Sequence, residues 1–278
     1  MSPIRAAISG GGLAGATLFH PLQRFSHLDV HIFESASAFK EAGLAIGVTR
    51  NALAALDLMG PSIVQALDRA GAVPMRGVRF MVAQGKEQGK IVDEVDEQTA
   101  GKRLTSIVHR AALLQELLAG APQERMHTSK ELGRVDRTAD GPVKLYFTDG
   151  TTHECDVLIG ADGIHSTIRK FILGDDTAAV PRNTGVWLIM TLQPYADAQA
   201  SLGRGTVDVE EAREYSWLGN GTYILHNLLQ GGQLVQLVVA SRDTDVPPDQ
   251  WHRNVSADEL KTLYKDWPPH LFKAVDEV

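Results

Sequence analysis

The 278-residue sequence has one cysteine, Cys155, so no internal disulfide forms and any metal centre has to be built from histidine and carboxylates. No run of about 18 apolar residues occurs, so no segment reads as a membrane-spanning helix. The N-terminus, MSPIRAAISG, lacks the basic, long apolar and cleavage regions of a secretory signal, which points to an intracellular, cytoplasmic protein. Positive charge is short: 27 Lys and Arg face 34 Asp and Glu, for a net charge of −7. A nucleic-acid partner is therefore not expected. Charged residues make up only 22 %, too few for a disordered polyelectrolyte, and 44 % hydrophobic residues suffice for a sizeable core.

Glycine is present where it carries information. Residues 3–9, PIRAAIS, read as a buried strand, and residues 13–25, LAGATLFHPLQRF, as a helix that Pro21 kinks or ends early. Between them Gly10, Gly12 and Gly15 fit G-x-G-x-x-G. In that pattern the first glycine permits a tight turn and the second lets a pyrophosphate approach the backbone. The third lets helix and strand pack closely, with the helix N-terminus facing the anion. A second strand, LDVHIFE at 28–34, ends in Glu34, placed to meet a ribose hydroxyl. Strand, loop, helix, strand and acid in this order predict an adenine dinucleotide site. The loop itself does not distinguish FAD from NAD.

Downstream, residues 105–120 contain a helix with good apolar spacing and with His109 and Arg110 at its start. Residues 132–162 read as strands LGRVDR, PVKLYF and THECDVLIGAD, with a hairpin turn at Asp149-Gly150. The last strand runs into GADGIHSTIRKFI, where a helix starts near His165–Ser166. Taken together, GGGLAGATL at 10–18 with Glu34, GLAIGVTRNALAALDLMG at 43–60, VHRAALLQELL at 108–118 and DVLIGADGIHSTIR at 156–169 carry a resemblance. The chain resembles the group A flavoprotein monooxygenases, the single-component FAD-dependent aromatic hydroxylases that include salicylate, para-hydroxybenzoate and 6-hydroxynicotinate hydroxylases.

The resemblance implies an α/β fold: a Rossmann-like FAD-binding domain over 1–178 and a β-sheet substrate-roof domain over 179–278. It implies that Gly10, Gly12, Leu13, Ala14 and Gly15 wrap the FAD pyrophosphate, that Glu34 binds the adenosine ribose, and that Arg110 reaches the phosphate and ribityl region. It further implies that Val135 meets the adenine through its backbone, that Asp162 supports FAD and NAD(P)H use, and that Ile46, Gly47 and Val48 lie beside the flavin ring. The implied chemistry is reduction of FAD by NAD(P)H, formation of a flavin C4a-hydroperoxide and hydroxylation of a small aromatic substrate. The family also carries a later Gly-Asp fingerprint, absent here through Val278; Gly174-Asp175 has the dipeptide but not its surroundings. This leads to the expectation that the natural polypeptide continues for roughly another hundred residues, or else that the chain self-associates across an uncovered region.

Residues 184–192, 205–218, 221–230 and 233–240 read as strands of the roof, and 247–253 and 256–277 as helical pieces broken near Trp267, with SADE at 256–259 as an N-cap. Hydroxylation of a phenol is helped by a base near neutral pKa. His226, in YILHNLL, is the candidate; Trp187, Trp217 and Tyr223 are candidate pocket walls. The alternative reading is a non-redox descendant of the fold, an isomerase, cyclase or ligand-binding protein. An NAD-dependent dehydrogenase leaves the Asp-Gly motif unexplained.

Overall fold

The computed structural model describes residues 2–41, 43–96, 104–137, 141–174, 180–243, 247 and 250–278. The chain opens with β1 (Ile4–Ser9), α1 (Leu13–Leu22), β2 (Leu28–Phe33), β3 (Ala45–Val48), α2 (Arg50–Met59) and α3 (Pro61–Arg69). There follow β4 (Val73–Met75), β5 (Gly77–Val82), β6 (Ile91–Asp96), β7 (Thr105–His109), α4 (Arg110–Leu118) and β8 (Met126–His127). Next come β9 (Leu132–Arg137), β10 (Val143–Phe147), β11 (Thr152–Cys155), β12 (Val157–Gly160), α5 (Thr167–Leu173), β13 (Val186–Pro194) and α6 (Tyr195–Leu202). The chain closes with β14 (Glu214–Leu218), β15 (Thr222–Leu229), β16 (Leu234–Arg242), α7 (Ala257–Tyr264) and α8 (Pro269–Asp276). Two units emerge: Met1–Ala42, Leu56–Arg69 and Arg110–Pro181 form the first, and Gly43–Ala55, Ala70–His109 and Arg182–Val278 the second.

The first unit is built on a parallel sheet of order β12-β1-β2-β8 beside an antiparallel sheet of order β11-β10-β9. Ala7, Ile8, Val30 and Ile32 are fully buried, as the apolar runs of a covered parallel sheet require. The expected single strand through 152–162 is broken at Asp156. There its carboxylate accepts the Arg5 N–H at 2.8 Å and the Arg5 guanidinium at 2.6 Å, and the chain passes from one sheet to the other. β12 is an edge strand, and Val157 is 45 % exposed rather than buried on both faces. Cys155 is buried, and burial pushes its thiol up to about 11, so it stays protonated and inert.

Two glycine contacts lock three segments of this unit together. Gly10 has φ +107°, and a Cβ there would meet the Ala161 carbonyl oxygen at 2.2 Å. A Cβ on Gly15, in the first turn of α1, would meet the Gly10 carbonyl oxygen at 1.9 Å. Main-chain bonds extend the same register past the strand ends: Gly10 N–H to Phe33 O at 2.8 Å and Ala161 N–H to Ser9 O at 2.7 Å. The loops after β1 and β12 and the start of α1 are thereby brought to one place.

The second unit holds a six-stranded sheet of order β13-β16-β15-β14-β5-β6 and a three-stranded sheet of order β3-β7-β4. α6, α7 and α8 contribute Leu202, Tyr264 and Leu271, and the link between the last two contributes Trp267, to a core with Tyr215, Trp217, Ile224, Leu228, Leu237 and Val239 of the large sheet. The helix expected within 105–120 begins at Arg110, in keeping with His109 and Arg110 at its start, and the residues ahead of it form strand β7, whose TSIVH sequence includes β-branched residues. The strand expected over 205–218 is confined to Glu214–Leu218, and the helix Tyr195–Leu202 was not anticipated. Ser256 caps α7, its hydroxyl accepting the Glu259 N–H at 3.2 Å. Of the expected helical piece over 247–253, residues 250–253 are not helical, and 248–249 lie outside the described residues.

His226 lies on the core side of β15 and is 1 % exposed. Trp217 Nε1–H donates to its Nε2 at 3.3 Å, and the Tyr215 ring stacks on it at 5.2 Å. Burial, with a smaller contribution from His270, pushes its pKa down from 6.5 to about 3. This corrects its expected role as general base. An imidazole enclosed in the core and protonated only in strong acid does not take a phenolic proton of pKa about 10. Trp217 is likewise a core residue.

Two outcomes follow for stability. Gly15→Ala drives a Cβ into fixed backbone and should cost more than the roughly 1–3 kcal/mol of ordinary overpacking. Gly12→Ala meets only the end of the Glu41 side chain, at 2.9 Å, and should cost less than about 1 kcal/mol; urea denaturation of both variants checks the order. His226 also makes the fold acid-sensitive. Its folded pKa lies below its unfolded one, so its contribution is complete above about pH 6.5 and is lost as pH falls towards about 3. The melting temperature of His226→Leu should therefore fall less steeply between pH 6.5 and 4 than that of the parent. Equal slopes would contradict the assignment. His127, His153 and His270, also held down by burial, supply the remaining slope.

Candidate functional site

The converging loops of the first unit border a cavity of about 370 Å³. Gly10 and Gly12 form one side, Phe33 and Glu34 from the end of β2 another, and Ala161, Asp162 and Gly163 a third. Lys130, Glu131 and Leu132 complete it. Such a crevice beyond the carboxyl ends of parallel strands is where open α/β sheets bind ligands.

The polar groups of the crevice are oriented by bonds to the loops. The Glu34 carboxylate accepts the Gly11 N–H at 2.7 Å, the Ala36 N–H at 2.8 Å and the Ser35 hydroxyl at 3.1 Å. The Asp162 carboxylate accepts the Ser166 hydroxyl at 2.5 Å and the Thr167 and Ile168 N–H groups at 2.8 and 3.1 Å, so it anchors the start of α5. Ser166 adds its own cap, accepting the Arg169 N–H at 2.9 Å.

Gly12 is the N-cap of α1, with φ −73° and ψ −173°. Leu13 and Ala14 open the helix, whose first N–H groups have no partner in the helix itself. The Leu13 N–H is met by Glu41 Oε1 at 3.2 Å, and Glu41 Oε2 accepts the Arg110 guanidinium at 2.7 and 3.1 Å. Glu41 is an ion-paired carboxylate whose side chain is only 11 % exposed, seated at a helix N-terminus. The α1 terminus and Arg110 thus form a seat that already holds one anionic group. Sequence reading missed Glu41: it falls in a stretch without periodicity, and no motif singles it out.

Of the anticipated residues, Gly10, Gly12, Leu13, Ala14, Gly15, Glu34, Arg110 and Asp162 lie in the first unit around this loop. Val135, expected to meet the adenine through its backbone, lies on the edge strand β9 with its side chain buried beside Leu145 and Phe147, and from this segment Lys130, Glu131 and Leu132 line the cavity. Ile46, Gly47 and Val48 form β3 of the second unit, antiparallel to β7. The second unit has a cavity of its own, about 610 Å³, at the edge strand β13, lined by Leu188, Met190, Trp251 and Arg253 among others. Trp187, an anticipated pocket wall, borders it, and the Arg253 guanidinium lies 5.3 Å from its ring centroid. Among the described residues no cluster of metal-ligating side chains occurs, and no helix is long and apolar enough to cross a membrane.

No family model matches the sequence. Individual proteins do. A 6-methylsalicylate 1-monooxygenase of Aspergillus terreus is 30 % identical over 279 residues, covering 95 % of this chain and 60 % of the relative. A salicylate hydroxylase of Pseudomonas putida is 29 % identical over 95 % of this chain and 62 % of the relative. The chain thus spans about 60 % of the length of these curated relatives. Among solved structures, a salicylate hydroxylase substrate complex superposes with a TM-score of 0.78 at 22 % identity, over 100 % of this chain and 66 % of that one. Klebsiella pneumoniae HpxO complexed with FAD and uric acid gives 0.75 at 21 % identity, over 99 % and 65 %. Along 95 % of its length the chain is thus similar in sequence to a 6-methylsalicylate monooxygenase and a salicylate hydroxylase, and it shares the Rossmann-like fold of the solved salicylate hydroxylase.

Proposed function

We propose that the chain carries the FAD-binding and substrate-binding parts of an NAD(P)H-using monooxygenase that hydroxylates a small aromatic compound. The glycine loop at the α1 N-terminus carries the reading, because the close backbone contacts at Gly10 and Gly15 set the start of α1 beside the crevice that Gly12, Glu34 and Asp162 line. The residues present fit FAD. The pyrophosphate suits the N-terminus of α1 beside Gly12, Leu13 and Ala14, where backbone N–H groups and the helix dipole favour an anion. Arg110 supplies the cation, and exchanging its carboxylate partner Glu41 for phosphate keeps it paired. Glu34, fixed by three donors at the end of β2, is the acceptor for ribose hydroxyls.

When bound, FAD supplies the redox chemistry, taking a hydride from NAD(P)H and activating dioxygen for insertion into an aromatic ring. The protein's part is to bind and orient. Asp162, held by Ser166, Thr167 and Ile168, keeps the loop after β12 in place against Gly10. The sheet of the second unit is read as the substrate wall, with Tyr223 on the face away from α6, α7 and α8, where its hydroxyl bonds Ser216 at 2.8 Å.

Protein mixed with FAD and then desalted should retain the two visible absorption bands of oxidised flavin. It should also oxidise NADH or NADPH faster when a phenol is added. Gly12→Val, folded by circular dichroism, should lose the flavin bands. Failure of the parent to retain flavin, or retention by the variant as tight as the parent's, would contradict the proposal.

A further inference from the structure

The two faces of the six-stranded sheet differ in kind. On one, Tyr215, Trp217, Ile224, His226, Leu237 and Val239 pack under the helices. On the other, strand pairing sets Gln236 opposite Asn227. One strand further on lies Glu214, whose carboxylate oxygen accepts Asn227 Nδ2–H at 3.3 Å. Glu214 pairs in turn with Val78 of β5. Gln236, Asn227 and Glu214 thus form one row across three strands.

This row leaves buried acceptors without donors. Asn227 is 4 % and Gln236 5 % exposed, and Asn227 Oδ1 and Gln236 Oε1 have no hydrogen-bond partner among the described residues. Buried carbonyl oxygens are rarely left so, and each favours a donor brought from outside. Glu214 borders a cavity of about 60 Å³ whose other walls include Met75, Val78, Val95 and Ile107. That is room for a ring substituent, not for a whole ring. Arg76 also borders it but is paired with Glu211 at 2.8 Å. Among the described strand residues of this face the only cation is Arg242, at the far end of β16. Burial raises the Glu214 pKa, opposed by the Asn227 hydrogen bond.

We infer that Glu214, held by Asn227, is the group that contacts substrate, accepting a hydrogen bond from an O–H or N–H substituent of an uncharged aromatic ring. The inference rests on the aromatic-hydroxylase reading and narrows its substrate class to neutral phenols, anilides or amides. Aromatic carboxylates are disfavoured. A second negative charge beside a buried carboxylate, with no cation on the row, is repelled.

The test is isothermal titration of the FAD-loaded protein with meta-hydroxybenzamide and meta-hydroxybenzoate, which match in shape and differ in charge. The parent should bind the amide at least about tenfold more tightly. Glu214→Gln keeps the shape and removes the charge, so it should bring the two affinities to within about threefold. Benzoate bound as tightly as amide by the parent would overturn the inference, whatever the variant does. So would a preference unchanged in a folded Glu214→Gln, which would assign the oxygens to bound water only. Flavin absorbance in the same samples separates the two readings: protein that never takes up FAD contradicts the proposed function, whereas FAD-loaded protein that prefers benzoate contradicts only the role of Glu214.

Discussion

The approach of Gly15 to the Gly10 carbonyl, and of Gly10 to the Ala161 carbonyl, is the constraint on which the first unit turns. A single methyl group at either position would sit about 2 Å from a backbone oxygen. With that space closed, α1 starts directly above the ends of β1 and β12. The loop after β12 then brings Asp162 to the same crevice as Glu34, and the α1 terminus gains an anion seat with Glu41 and Arg110. The chemistry suited to this place follows from the backbone first. Unpaired N–H groups at a helix start favour negative charge, and glycines let it come close.

In the second unit the governing fact is the two-residue period of a strand. His226 and Asn227 are neighbours in sequence and face opposite sides of the sheet. One is a neutral core imidazole accepting from Trp217; the other holds the carboxylate of Glu214. A polar residue in an apolar strand announces that something satisfies it, not on which side. A histidine invites a catalytic reading because of its ordinary pKa. Full burial removes that pKa from the useful range, while the less conspicuous Glu214, partly desolvated beside a cavity, is shifted towards it.

The glycine loop, the strand ending at Glu34, the turn at Asp149-Gly150 and the Ser256 cap were legible because each rests on local chemistry. These are positive φ, a parallel strand's apolar run, an N–H to be capped. The Rossmann-like fold was legible from their order. What was not legible rests on partners distant in sequence. Residues 105–109 pair with β3 and β4 and so extend before α4 begins. Glu41 has meaning only once Leu13 and Arg110 meet it, 28 and 69 residues away. Glu214 acquires a role only from its cross-strand neighbour Asn227.

The central claim is that the N-terminus of α1 is the pyrophosphate seat of a bound FAD. A crystal structure of the protein grown with FAD tests it most directly. The account predicts a phosphate oxygen within about 3.2 Å of a backbone N–H in the Gly12–Ala14 turn, with the Arg110 guanidinium facing the phosphates. A pyrophosphate bound elsewhere, or an α1 terminus still closed by Glu41 in crystals saturated with FAD, would contradict it.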